Sequence, residues 1–127
     1  MLAQGDIIPH FQVTDSQGAV VAYSSIWQRR NLVLVTLSAT ASQQSDDYVS
    51  QLADYMPEFR KHDAACVVTR DLVPGSPSPG VVIADRWGEI VHVSGAADIA
   101  DLPGPRELLE WMEYLQNQCP ECQGEAR

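Results

Sequence analysis

The sequence is poor in basic residues. Its 127 residues include 8 lysines and arginines against 17 aspartates and glutamates, which gives a formal net charge of −9. A surface of that sign repels phosphate groups, so the charge balance argues against nucleic-acid binding and against adsorption to anionic membranes.

Long apolar runs are also missing. Runs such as LVLVTL at 32–37 fall far short of the roughly 20 residues that a membrane-spanning helix needs. The N-terminal MLAQGDIIPHF has neither the basic segment nor the apolar core of a signal peptide. We therefore expect no membrane partner.

Cysteine is scarce, with three residues at positions 66, 119 and 122. An odd and small number does not suggest an oxidised framework, so we expect a reducing, cytoplasmic setting. Cys66 lies in AACVV, a buried-strand pattern, where a free cysteine acts as a small apolar core residue.

What the sequence does contain is strand patterning for one domain with a single core. HFQVT (10–14) and AVVAY (19–23) flank a DSQG turn and predict a hairpin. NLVLVTL (31–37), ACVVT (65–69) and GVVIAD (80–85) are apolar on both faces, as central strands of a covered sheet are. EIVHVS at 89–94 closes a second hairpin with the last of these runs.

Two helices are predicted between and after these strands. Tyr48, Leu52, Tyr55 and Phe59 recur at helical spacing, and Pro57 predicts a break or a kink near Met56. GPRELLEWMEYLQ at 104–116 predicts the closing helix, since proline suits a first helical turn. Strands alternating with helices indicate an α/β sheet, and we expect helices on both faces.

The order of these elements resembles the thioredoxin fold in its redoxin branch, the AhpC/TSA-type and TlpA/ResA-like proteins. The stretches that carry the resemblance are GDIIPHFQVTDSQG, SPGVVIADRWGEIVHVSG and the closing helix. It implies a central mixed β-sheet flanked by helices, with an N-terminal β-hairpin of redoxin type. The implied domain spans 1–118, followed by a flexible tail, 119–127, that contains Cys-Pro-Glu-Cys.

The sequence differs from the family at the residues that carry the family's redox chemistry. Ser42 and Ser45 fall where the family has its two active-site cysteines, and Pro79 falls on the proline that is cis and faces the active site. Serine cannot form a disulfide, and a helix N-terminus cannot ionise a hydroxyl as it does a thiol, whose ordinary pKa is about 8.5. The resemblance thus implies a non-catalytic face, around Ser42 and Pro79, for a partner protein or extended peptide.

A serine nucleophile at position 42 is the rival interpretation of that junction. It requires a histidine base, and the sequence places His10 and His92 on strands and His62 at a helix end. Nothing in the sequence brings any of them to Ser42. We therefore expect Ser42 and Ser45 to be structural, with Ser45 as the helix N-cap.

Cys119 and Cys122 form the sequence's only Cys-x-x-Cys pair and leave the question of enzymatic activity open. The pair follows the last helix, whose negative C-terminal dipole and the neighbouring Glu121 oppose a thiolate. Three interpretations remain: an inert tail, a thiol-disulfide or antioxidant-type redox pair, and half of a zinc site for assembly. No cofactor is expected, no metal unless this pair binds zinc, and the sequence does not define the oligomeric state.

Overall fold

The computed structural model describes residues 2–37 and 42–116 of the chain. Within these ranges the chain forms strands, two α-helices and two short 3-10 turns. The strands are β1 (Gln12–Thr14), β2 (Val20–Ala22), β3 (Asn31–Thr36), β4 (Ala64–Thr69), β5 (Gly80–Ala84) and β6 (Ile90–Gly95). The helices are α1 (Gln43–Lys61) and α2 (Pro105–Gln116).

The central sheet has four strands in the order β4-β3-β5-β6. β3 is parallel to β4 and antiparallel to β5, which is antiparallel to β6. Every residue of β3 and β5 is buried, so the predicted central strands and the mixed sheet are confirmed. β1 and β2 form a separate antiparallel hairpin, in which Gly18 takes a φ of 86° and Asp15 Oδ1 accepts hydrogen bonds from the Gln17 and Ala19 amides.

The two faces of this sheet are covered differently, and the expectation of helices on both faces is wrong. Both α-helices pack on one face, in a cluster that includes Leu52, Phe59, Leu108 and Met112. The N-terminal hairpin and the 3-10 turn Tyr23–Ser25 cover the other face. Since β5 runs antiparallel to β3, the chain between β4 and β5 starts and ends at the same end of the sheet. That connection therefore needs no helix to cross the second face.

The helix α1 continues through Pro57, so of the break or kink predicted near Met56 the break does not occur. Leu52 and Phe59 on either side of the proline are fully buried against the sheet and hold the helix in place. The proline removes one backbone donor, whose usual acceptor is the carbonyl of Ala53, an exposed residue that water can reach. None of the described helices is both long and apolar enough to cross a membrane.

Candidate functional site

The predicted site lies at the carboxyl end of β3. Leu37 follows β3 and is buried, and the exposed Ser42 directly precedes α1. Pro79 precedes β5, whose Gly80 pairs with Thr36, and the Ser78–Pro79 peptide bond is cis, as the resemblance predicts. Ser42 and Pro79 therefore flank the same end of the same strand.

A capping box starts α1. Ser42 is the N-cap, and its Oγ accepts a hydrogen bond from the Ser45 amide at 3.1 Å. Ser45 Oγ accepts from the Ser42 amide at 3.0 Å in return. The prediction of Ser45 as the N-cap is therefore wrong, because Ser45 is the third helical residue and the reciprocal partner of the cap.

The hydroxyl of Ser45 uses its proton and both lone pairs in hydrogen bonds within the protein. Besides accepting from Ser42, it accepts from Arg70 Nη2 at 2.8 Å and donates to the Ser42 carbonyl at 3.0 Å. A hydroxyl has one proton and two lone pairs, and the residue has no solvent exposure. Ser45 therefore has neither a free lone pair to attack a substrate nor access to one.

Arg70 is the residue at this site that the sequence reasoning missed. It directly follows β4, and its guanidinium lies 3.8 Å from Asp46 in the first turn of α1. Its position directly after a predicted strand could have indicated it, because the carboxyl ends of the parallel strands β3 and β4 meet at one edge of the sheet. The first turn of α1 is thus held by a residue that directly follows β4.

The segment before β5 is held against the end of β3 from the other side. Thr36 Oγ1 donates to the Pro77 carbonyl, and Ser78 Oγ donates to the Leu37 carbonyl at 3.0 Å. Gly80 permits this approach, because a Cβ at that position would lie 2.7 Å from the Pro77 carbonyl oxygen. The backbone of Pro77 and Ser78 is therefore seated directly on the strand end.

An open groove of about 540 Å³ lies beside α1 on the Arg70 side of this strand end. Its lining mixes one basic side chain with several acidic and hydroxyl groups. The lining residues are Thr14, Asp15, Ser16, Leu37, Asp46, Val49, Ser50, Arg70 and Asp71.

The three histidines lie elsewhere. His10 packs near Tyr23 and Trp27, and His62 Nδ1 lies 2.6 Å from Gln116 Oε1. His92 stacks on Trp111 with ring centroids 4.8 Å apart. In the described part of the chain no histidine hydrogen-bonds to Ser42, so the geometry supplies no base for a serine nucleophile.

Cys66 is not at this strand end either. Cys66 lies on β4 and packs against the helix-covered cluster, where burial raises the pKa of its thiol to about 12. The Cys119/Cys122 pair lies outside the described residues, as does the proposed tail, 119–127. Residues 2–37 and 42–116 contain no cluster of three or more potential metal-binding side chains.

Burial of Cys66 predicts a pH dependence of stability. The native state holds the thiol neutral while its pKa is raised from 9.0 to about 12, so the unfolded chain loses the proton first as pH rises. Stability is then full below pH 9 and falls above it, by about 1 kcal/mol at pH 10. Urea unfolding at pH 7.5 and pH 10 should show this loss in the wild type.

The matched variant is Cys66→Ala, in which that part of the loss should disappear. Ionisation of unfolded tyrosines and of the other cysteines affects both proteins alike and cancels in the comparison. The same pH dependence in both proteins would contradict the assignment.

Comparison with known proteins identifies the fold of this site. No family model matches the chain, and no curated protein matches its sequence. Solved structures do match. The mitochondrial 1-Cys peroxiredoxin of yeast has a TM-score of 0.73 at 14% identity, over 94% of this chain and 84% of that one. A 2-Cys peroxiredoxin of Plasmodium vivax has 0.71 at 11%, over 89% and 81%. AhpC of Mycobacterium tuberculosis has 0.66 at 14%, over 96% and 98%. The chain shares the thioredoxin-like fold of these proteins.

Proposed function

We propose that this redoxin-fold protein binds an extended segment of a partner protein at the Ser42/Pro79 face and performs no thiol chemistry there. The observation that carries the proposal concerns the Ser45 hydroxyl, which is fully buried and has no hydrogen-bonding group left free. The resemblance places one of the family's two cysteines at this position. Here the side chain ties α1 to Arg70, which favours a binding role over a reactive one.

The exposed groups of this face suit a polypeptide ligand. Ser42 and Ser78 are exposed and small, and Pro79 is half-buried beside them, so an extended backbone can approach closely. The adjoining groove adds Arg70, Asp71 and Asp46 as polar groups that can select a sequence. A protein partner also agrees with the net charge of −9, which disfavours nucleic acid and anionic membranes. A cytoplasmic location is part of the proposal, supported by the small, odd number of cysteines.

Enzyme assays test the non-catalytic half of the proposal. Wild type should reduce neither insulin disulfides nor hydrogen peroxide above the level of Cys119→Ser/Cys122→Ser. Turnover that the double variant loses would replace the proposal with a thiol-disulfide oxidoreductase acting through the C-terminal pair. Zinc that co-purifies with wild type and not with the double variant would favour zinc-dependent assembly.

A binding experiment tests the other half. Unstructured peptides selected from a random library should shift the amide resonances of Leu37, Ser42 and Gly80 in the ¹⁵N-labelled protein. Selected peptides that leave these resonances unchanged, or no selected peptide at all, would contradict the assigned face.

A further inference from the structure

An open groove of about 780 Å³ lies between the start of β6 and one side of α2. Glu107, Glu110, Trp111 and Tyr114 line it from α2, and residues spaced by three and four positions lie on the same side of a helix. The α2 residues that are buried against the sheet are a different set, while Glu107, Glu110 and Tyr114 are exposed. This side of α2 is therefore open to a ligand.

Two aromatic rings form one wall of this groove. Trp111 and Tyr114 lie nearly perpendicular, at 89°, with ring centroids 5.9 Å apart. His92 stacks on Trp111 and supports the indole from β6, whereas Tyr114 keeps 55% of its surface exposed. The faces of tyrosine and tryptophan rings attract cations, because their π electrons carry partial negative charge. The wall can therefore hold a cation as well as an apolar side chain.

The charged side chains around this wall are all acidic. Glu107 and Glu110 lie on α2, Glu89 lies on the β6 side, and no lysine or arginine of the described residues lines the groove. None of the three glutamates forms an ion pair within the described ranges, 2–37 and 42–116. Three carboxylates without basic partners, beside two aromatic rings, indicate a positively charged ligand by charge complementarity.

The spacing of the acidic groups distinguishes between kinds of cation. The described residues contain no group of three side chains that could hold one metal ion, so the glutamates suit the separate cations of an organic ligand. Arginine matches this site best, because its planar guanidinium stacks on aromatic rings and also forms paired hydrogen bonds with a carboxylate. A groove of about 780 Å³ is of the size that holds a drug-sized ligand, so residues next to the arginine in a polypeptide fit beside it.

We propose that the groove between β6 and α2 binds a basic segment of a partner protein, with an arginine side chain against Trp111 and Tyr114. This surface is separate from the Ser42/Pro79 face. The start of β6 pairs with the end of β5, whereas Pro79 directly precedes the start of β5. The two surfaces therefore lie at opposite ends of β5, about 13 Å apart along the strand.

The probe is the acetylated and amidated pentapeptide Gly-Arg-Gly-Arg-Gly, titrated into the full-length ¹⁵N-labelled protein at low salt. Binding should shift the indole Nε1–H resonance of Trp111 and the backbone amide resonances of Glu89 and Tyr114. The same peptide with both arginines replaced by citrulline, which has the same shape without the charge, should bind about tenfold more weakly. The corresponding lysine peptide keeps the charge without the planar group and should bind about threefold more weakly.

Substitutions on α2 test the contacts, with a matched control on the same helix. Glu107→Gln and Glu110→Gln should each weaken binding about fivefold at low salt, and the effect should shrink as salt rises. Tyr114→Leu, which keeps an apolar side chain but removes the ring, should weaken binding about threefold. Glu113→Gln makes the same change as the first two at an exposed residue outside the groove and should change the affinity less than about twofold. An equal loss in this control, full binding of the citrulline or lysine peptide, or resonance shifts that miss Trp111 would overturn the proposal.

Three other occupants are distinguished in the same experiments. Binding of agmatine, a small dication with a guanidinium group, as tightly as the peptide would identify a small-molecule site. If Arg127→Gln in the full chain raised the affinity for the probe severalfold, the chain's own C-terminal segment would be the occupant. Self-association that Tyr114→Leu alters would identify a second copy. Each of these results overturns the partner-segment proposal, whereas weaker binding of agmatine, unchanged affinity of Arg127→Gln and a monomer support it. Because the readout is at Trp111, failure here is distinct from failure at the Ser42/Pro79 face.

Discussion

Gly80→Ala is expected to lower the free energy of unfolding by about 3 kcal/mol, the upper part of the range for overpacking a filled site. The added Cβ would lie 2.7 Å from the carbonyl oxygen of Pro77 and 2.8 Å from its Cβ. These are backbone and ring atoms that cannot rotate away. Relief of the clash requires the segment before β5 to leave the end of β3, which breaks the Thr36–Pro77 and Ser78–Leu37 hydrogen bonds.

Gly104→Ala is the matched control for this substitution. A Cβ at position 104 would have no neighbour within 4 Å, so this substitution should cost at most about 1 kcal/mol, the loss expected when alanine replaces a glycine at the start of a helix. Urea unfolding of both variants beside the wild type provides the comparison. Equal, small effects would mean that the contact between Pro77 and Gly80 relaxes easily.

The same variant tests the Ser42/Pro79 face. Displacement of Ser78 and Pro79 should weaken peptides that bind at this face, provided that Gly80→Ala is measured where it remains folded. Unchanged affinity would contradict the assignment of the binding site to this face.

Much of the fold could be predicted from the sequence because its strongest signals are local. The run Asn31–Thr36 is buried at every residue. A continuous apolar run of this length is typical of a strand that is covered on both faces. The choice of sheet face for each helix is not local. It follows from whether the chain crosses the sheet between strands, which the antiparallel β5 determines.

The helix through Pro57 shows why a local rule can fail. Proline opposes a helix interior by roughly 3 kcal/mol, which predicts a break on propensity alone. Burial of Leu52 and Phe59 on either side offsets that cost, because each contributes about 2 kcal/mol of apolar burial. Tertiary packing is invisible in a window of the sequence centred on position 57.

The position of the candidate site could be predicted from the sequence, whereas the hydrogen bonds between its side chains could not. Ser42 and Pro79 could be placed by resemblance, and both flank the end of β3. The contact between Arg70 and Ser45 joins residues 25 positions apart and depends on the register between β3 and β4. That register assigns the Ser45 hydroxyl a structural role that its sequence neighbourhood does not reveal.

Ser45→Ala is the second substitution with a large expected effect, a loss of about 2 kcal/mol of unfolding free energy. It leaves the Ser42 amide without the Ser45 hydroxyl and removes half of the capping box. It also deprives the Arg70 guanidinium of an acceptor at 2.8 Å, and hydrogen bonds to charged groups contribute more than neutral ones. Ser50→Ala, an exposed position on the same helix, is the control and should stay within about 0.5 kcal/mol of wild type.

A double-mutant cycle assigns the part of this loss that belongs to Arg70. Ser45→Ala and Arg70→Met, measured singly and together by urea unfolding, should show a coupling of about 1 kcal/mol, as expected for residues in direct contact. The ion pair of Arg70 with Asp46 is lost in Arg70→Met whether or not the serine is present, so it cancels from the coupling. Additive effects would mean that the Ser45 hydroxyl only caps the helix. The hydrogen bond between Ser45 and Arg70, on which the non-catalytic proposal depends, would then not contribute to stability. A reactive role for the Ser45 hydroxyl would have to be reconsidered.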